Sequence, residues 1–251
     1  MGAPLGLADW ELIGTALFFG SFIGVVVDRL PDRVPMMVQR SRCDACGTAL
    51  TVRDLVPLAS WLAMRGRCRY CGVWVGWFYP GVELAALGIA LLSLTADRGV
   101  DAWIDAALGW WLLALGWIDW RHSILPDLLT LPLIAMGLVA AWGLAPGELR
   151  DRVAGAACGY LGLWLVAWVY RRLRGREGLG LGDAKLLAAS GAWVGAVALP
   201  SVLAGAALAA LLVAGGMMLA GIRLDRHSAL PFGPFLAAAT WLVWLCGPLT
   251  Y

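Results

Sequence analysis

Charge is scarce in this chain of 251 residues: Asp, Glu, Lys and Arg make up 14%, against 61% hydrophobic residues. That excludes a soluble domain of this length, which has no way to hide so much apolar surface, and leaves a polytopic membrane protein. Histidine is scarcer still. Its two copies, His122 and His227, lie in short loops without metal-ligand spacing. The patterns Ser-x-x-Lys, Gly-x-Ser-x-Gly and His-Glu-x-x-His are absent, which removes the main serine and metallohydrolase classes. No basic residue precedes the first apolar run, which carries Asp9 and Glu11 and is followed by an arginine cluster. A cleavable signal peptide has the opposite order, so this run reads as a first spanning helix with its N-terminus outside.

What remains is long apolar sequence, 15 Trp and 32 Gly. A spanning helix takes about 20 apolar residues. Eight candidates stand at roughly 9–27, 78–96, 102–118, 123–142, 153–170, 184–199, 200–221 and 232–249. The sixth and seventh are short and meet at Pro200, leaving a re-entrant pair open. If segment 28–77 is cytoplasmic, 16 of the 19 basic residues fall on that side, and only Arg98, Arg150 and Arg152 on the other. The net charge of +2 is then a topology signal under the positive-inside rule and not a nucleic-acid footprint; no nucleic-acid partner is expected. The expected fold is an all-α polytopic membrane protein of about eight transmembrane helices with a small cytoplasmic zinc-ribbon-like module.

That module is the polar stretch 28–77. It contains Cys43-Asp44-Ala45-Cys46-Gly47 and Cys68-Arg69-Tyr70-Cys71-Gly72, with 21 residues between the pairs. Four thiolates at this spacing can enclose Zn²⁺ tetrahedrally, and Gly after the second Cys lets each knuckle turn tightly. Redox dithiols or disulfides are the rival reading, disfavoured by a cytoplasmic location and by the lack of a thioredoxin-like pattern. Four ligands close the coordination sphere, so the zinc would be structural. Cys158 and Cys246, inside apolar segments, read as packing residues.

Two acids at the membrane edge point to chemistry, because ionisable groups there are costly. Asp183 ends Gly178-Leu179-Gly180-Leu181-Gly182-Asp183, and Asp119 lies in Trp117-Ile118-Asp119-Trp120-Arg121. A pair of Asp suits aspartyl hydrolysis, one ionised to activate water and one protonated to polarise the scissile carbonyl. Asp183 has an ordinary alternative as the N-cap of the helix after it. Asp119 has one too, as an interfacial partner of Arg121, and Asp127 in Leu125-Pro126-Asp127 competes as second acid; the residues alone leave that choice open. The glycines allow close approach of a substrate peptide, so Gly180 and Gly182, with Lys185 beside them, are the expected substrate-binding residues. Glu83 in Tyr79-Pro80-Gly81-Val82-Glu83 reads as a buried partner for an Arg or a polar cavity liner.

The chain resembles the type IV prepilin peptidases, bacterial GxGD aspartyl proteases. Gly20-Ser21-Phe22-Ile23-Gly24-Val25-Val26-Val27-Asp28-Arg29-Leu30-Pro31 is similar to the family's Gly-Ser-Phe-Leu-Asn-Val-Val-x-x-Arg-Leu-Pro. The Cys-x-x-Cys pairs, Tyr79-Pro80-x-x-Glu83, Ile118-Asp119-x5-Leu125-Pro126-Asp127, Gly180-x-Gly182-Asp183-x-Lys185-Leu186 and Pro231-Phe232-Gly233-Pro234-Phe235 follow in family order. The resemblance implies Asp119 and Asp183 as the catalytic pair, with Asp127 a flanking residue. It implies cleavage of prepilin or type II secretion pseudopilin leaders at the cytoplasmic face of the bacterial inner membrane, on substrates whose hydrophobic helix packs laterally within the lipid. It further implies N-methylation of the new terminus by S-adenosylmethionine, tied to the cysteine region. The domains then run 1–27 (first transmembrane helix), 28–77 (four-cysteine zinc module) and 78–251 (aspartyl peptidase domain). Gly24 stands where the family has Asn, and Val52-Arg53-Asp54-Leu55-Val56-Pro57 lacks the family's Glu-Asn before Ile-Pro. Both departures fall on the methylation and zinc side. A proton-coupled transporter using the two Asp is the alternative, although such proteins place acids near the midplane and repeat their halves.

Overall fold

Long apolar runs with no water to satisfy their backbone form helices, since a helix pairs every N–H and C=O internally. The structure, a computed structural model, describes residues 6–31, 40–175, 180–222 and 230–248. Gly178, Leu179 and His227, named above, lie outside the described residues, as do three of the basic residues counted on the cytoplasmic side, Arg176, Arg223 and Arg226. Among the described residues there is no strand, only two isolated bridges, Arg42 with Ala49 and Arg67 with Trp74. The chain divides into two compact units, Met1–Ala114 and Leu115–Tyr251.

The first unit holds α1 (Leu7–Arg29), the cysteine module with the short α2 (Ala59–Ala63), α3 (Phe78–Ala96) and the start of α4 (Val100–His122). Leu12, Ala16, Gly20, Ile23 and Val27 bury one face of α1, and Val82, Ala86 and Ala90 one face of α3. Both faces recur at helical spacing, and their small residues, among them Ala16, Gly20, Ala86 and Ala90, let the backbones close up where lipid offers no hydrophobic drive. A Cβ at Gly20 would stand 2.6 Å from the Cα of Glu83. Beside this contact, Trp110 of α4 donates its indole N–H to the Ala86 carbonyl at 2.9 Å and stacks on Phe19.

The second unit continues α4 and adds α5 (Asp127–Leu144), α6 (Leu149–Arg174), α7 (Leu181–Val194), α8 (Leu199–Leu219) and α9 (Gly233–Cys246). Every residue from Leu186 to Trp193 is buried, as expected of a helix apolar all round. Helix α7 packs against α5, α6, α8 and α9. Its closest neighbour is α6, where Gly155 and Gly159 face Gly191 and the Leu187 carbonyl. A Cβ at Gly155 would stand 2.5 Å from Gly191 O, and one at Gly159 2.5 Å from Leu187 O.

All eight expected segments are helical, with shifted ends. The fourth starts at Asp127 and not 123, because extended Pro126 caps it. The sixth starts at Leu181 and stops at Val194, where Gly195 turns to φ 83°. Among the described residues five helices, α1, α3, α5, α6 and α8, are long and apolar enough to cross a membrane. Helices α7 and α9 have 14 residues each, about 21 Å of rise against about 30 Å of hydrocarbon. Cys158 and Cys246 are exposed on α6 and α9, not packed in the core. The α6–α7 seam predicts that Gly159→Leu destabilises by about 1–3 kcal/mol. Gly162→Leu, which meets nothing within 4 Å, should be neutral. Thermal unfolding of the two variants in one detergent is the check, and equal melting would remove close backbone approach as the basis of this pairing.

Candidate active site

Asp119 is 6% exposed, one turn before the end of α4. A carboxylate that deep needs donors, and the described one is the backbone N–H of Gly233, 2.9 Å from Oδ2. Gly233 is the first residue of α9, so the carboxylate meets the positive end of a helix dipole. Pro234 follows within the first turn, where its missing N–H costs nothing. A Cβ at position 233 would stand 2.5 Å from the same Oδ2, so only glycine fits. The motif Pro231-Phe232-Gly233-Pro234-Phe235 therefore supplies a ligand for the acid, a role the sequence reading did not give it. Glycine before proline at a helix start was the available signal.

Asp183 lies in the first turn of α7 and not at its N-cap, which is Gly180 in extended conformation (φ −72°, ψ 138°). The structure brings Asp183 within Coulombic reach of Asp119, although 64 residues separate them in sequence. Gly182 is helical, and a Cβ there would stand 3.0 Å from Leu125 Cβ, so this glycine seats the Leu125-Pro126-Asp127 corner. Lys185, one turn along α7, forms an ion pair with Asp127. Asp127 is thus the partner of a lysine at the first position of α5, half exposed, while Asp119 is buried.

The cysteine module contains two copies of one turn. Gly47 N–H donates to Cys43 O at 2.8 Å and Cys43 N–H to Thr48 O at 3.0 Å; Gly72 N–H donates to Cys68 O at 2.9 Å and Cys68 N–H to Val73 O at 2.8 Å. Gly47 (φ 69°) and Gly72 (φ 70°) are left-handed, as the sequence required. The four sulfurs lie within 4.8 Å of one another, and those of Cys43 and Cys71 are 3.8 Å apart. A tetrahedral zinc with Zn–S near 2.3 Å needs sulfurs about 3.8 Å apart, so the donor set fits. Hydrogen bonds with Thr48, side chain first and then backbone, bring the Cys46 thiol down to about 6. Backbone N–H groups of Cys71 and Tyr70 lower Cys68.

Asp54 ties the two knuckles together and was missed as a site from sequence. It accepts from the Thr51 N–H (2.9 Å) and hydroxyl (2.7 Å) and from the Tyr70 hydroxyl (3.3 Å), and pairs with Arg69 at 3.1 Å. Those bonds, the Thr51 backbone foremost, hold its carboxyl below the usual carboxylate range. Glu83, 5% exposed, has a backbone partner where an Arg was one expectation. It accepts the Leu58 N–H at 2.8 Å and bonds Ser21.

Known proteins match this arrangement in two successive regions. Residues 14–96, with the knuckles and Glu83, match the Bacterial Peptidase A24 N-terminal domain, and residues 106–215, with Asp119 and Asp183, match the Type IV leader peptidase family. Proteins named prepilin leader peptidase/N-methyltransferase from Burkholderia pseudomallei, Aeromonas salmonicida and Dichelobacter nodosus are 43%, 39% and 36% identical to it. The matches cover 94%, 92% and 97% of this chain and 84%, 88% and 93% of those relatives. No solved structure matches. The transporter alternative gains no support, and the five apolar helices are those of a multi-pass protein of the bacterial inner membrane. With both regions present in order and relatives matched along nearly their whole length, the chain belongs to the type IV prepilin leader peptidase family.

Proposed function

We propose that this protein cleaves the leader peptides of type IV prepilins or type II secretion pseudopilins, with Asp119 and Asp183 activating water. The observation that carries this reading is the pairing of two acids from distant helices, one of them held by the Gly233 N–H at the start of α9. The dyad shares one proton and titrates as a unit. Its negative charge rests on Asp119, where the α9 N-terminus stabilises it, and Asp119 takes the proton of the attacking water. Asp183 carries the shared proton and donates it towards the scissile carbonyl oxygen. The substrate strand approaches extended Gly180, while Gly182 and Lys185 hold the Leu125–Asp127 corner that borders it. Basic residues crowd the side that carries both acids, so the active site faces the cytoplasm, where the leader lies.

In the same reading, residues 28–77 are a module closed by structural zinc on Cys43, Cys46, Cys68 and Cys71. Residues 1–27 form the first transmembrane helix and 78–251 the peptidase domain. The new N-terminus is then methylated with S-adenosylmethionine, the second activity in the relatives' names.

Cleavage of a prepilin in liposomes tests the dyad. Asp119→Asn and Asp183→Asn are each expected to lose about 10³-fold or more in rate. Asp127→Asn, which removes only a half-exposed ion pair, should stay within about threefold of wild type. Equal cleavage by all of these proteins would sink the assignment. Gly233→Ala should cost about 10- to 100-fold, the worth of one charge-assisted hydrogen bond, with both acids still present; an unchanged rate would detach α9 from the chemistry. Elemental analysis of purified protein should find about one zinc per chain, and none in Cys68→Ser/Cys71→Ser; full metal retention in that double variant would refute the four-sulfur site.

A further inference from the structure

Three tryptophans of the cysteine module touch one another. The Trp61 ring lies 4.5 Å from that of Trp77 and 5.7 Å from that of Trp74, and Trp74 and Trp77 are 5.7 Å apart. The backbone is shaped to hold them. The Trp61 indole N–H donates to Gly76 O at 3.0 Å, and a Cβ at Gly66 would stand 2.3 Å from the Trp74 ring. Yet the cluster is no core. Trp74 is 47% exposed and Trp77 68%, and Leu62, next to Trp61 in α2, is 66% exposed. A contiguous apolar face of this kind marks a docking surface.

Chain continuity says what covers it. Trp77 is the N-cap of α3, a helix long and apolar enough to cross a membrane. Its indole therefore stands where the helix leaves the hydrocarbon, the depth that tryptophan favours. Trp61 and Trp74 stay within ring contact of that level. A second tie acts through α2, whose N-cap Leu58 donates its N–H to Glu83 at 2.8 Å, five residues or about 7.5 Å into α3. Helix α2 thus starts beside the first turns of α3. Arg67 stands opposite Trp74 in the antiparallel bridge, so both side chains share a face, and an arginine there favours anionic headgroups. We infer that this aromatic face docks on the lipid headgroup layer and holds the cysteine module against the bilayer surface. Neither proposed reaction is needed for it.

The test uses full-length protein carrying fluorotryptophan in nanodiscs of phosphatidylcholine and phosphatidylglycerol. Trp74→Phe and Trp77→Phe each identify one fluorine resonance by deleting it. Broadening is then read from a lipid with a nitroxide near its glycerol backbone and from a water-soluble gadolinium chelate. Trp77, placed at the interface by α3, is the internal standard, and Trp74 decides. Its signal should lose intensity to the nitroxide lipid within about twofold of the loss at Trp77, and lose less than about half as much to the chelate. A Trp74 signal spared by the lipid and erased by the chelate leaves the face in water and overturns the inference. One spared by both agents puts protein over the ring, a second copy of this chain, and overturns it equally.

Discussion

A carboxylate inside a bundle of apolar helices is best tolerated where something donates to it, and for Asp119 the donor among the described residues is the backbone N–H of Gly233. Asp119 fixes where α9 begins, because Gly233 must present its N–H at 2.9 Å and has no room for a side chain. Helix α9 in turn is registered on α7 by the buried Ser190–Thr240 hydrogen bond of 2.6 Å. Helix α7 is held to α6 by glycines that let backbone meet backbone, and to α5 by the Trp193 indole on Leu133 O at 2.9 Å. Asp183 stands at the start of this clamped helix. The position of one acid thus propagates through helix starts and close contacts to the other, which is how two short helices hold a pair of charges steady.

The first unit solves the same problem with a loop. Glu83 on α3 captures the N–H of Leu58, a leucine held at φ 54° at the N-cap of α2. Left-handed geometry in a bulky residue costs on the order of 1–3 kcal/mol, and the charged hydrogen bond to a buried acid offsets it. Asp54 does likewise for the turn after the first knuckle, joining Thr51 to Arg69 and Tyr70 of the second. The segment between the two knuckles is therefore held by two buried acids, Asp54 at Thr51 and Glu83 at Leu58.

Much of this was readable from residue order. The apolar runs marked all eight long helices, and Cys-x-x-Cys-Gly marked both knuckles, because each signal is local and its physics is backbone geometry. Asp119 and Asp127 were not distinguishable by themselves: both sit at helix ends beside loops, and only tertiary packing buries one and pairs the other with Lys185. Asp183 had the N-cap as its ordinary alternative, and the structure gives that place to Gly180, with Gly182 already inside the helix against Leu125. Glu83 suggested an arginine partner or a polar cavity liner; its bond to the Leu58 N–H was invisible without the fold.

The order of the two proposed activities follows from bonding. Before cleavage, the nitrogen that will become the new terminus is a peptide nitrogen whose lone pair is delocalised into the carbonyl, the resonance that keeps the peptide planar. It cannot take a methyl group from a sulfonium at a useful rate. Hydrolysis at the Asp pair releases that lone pair as a free amine, so methyl transfer has no substrate until the dyad has acted.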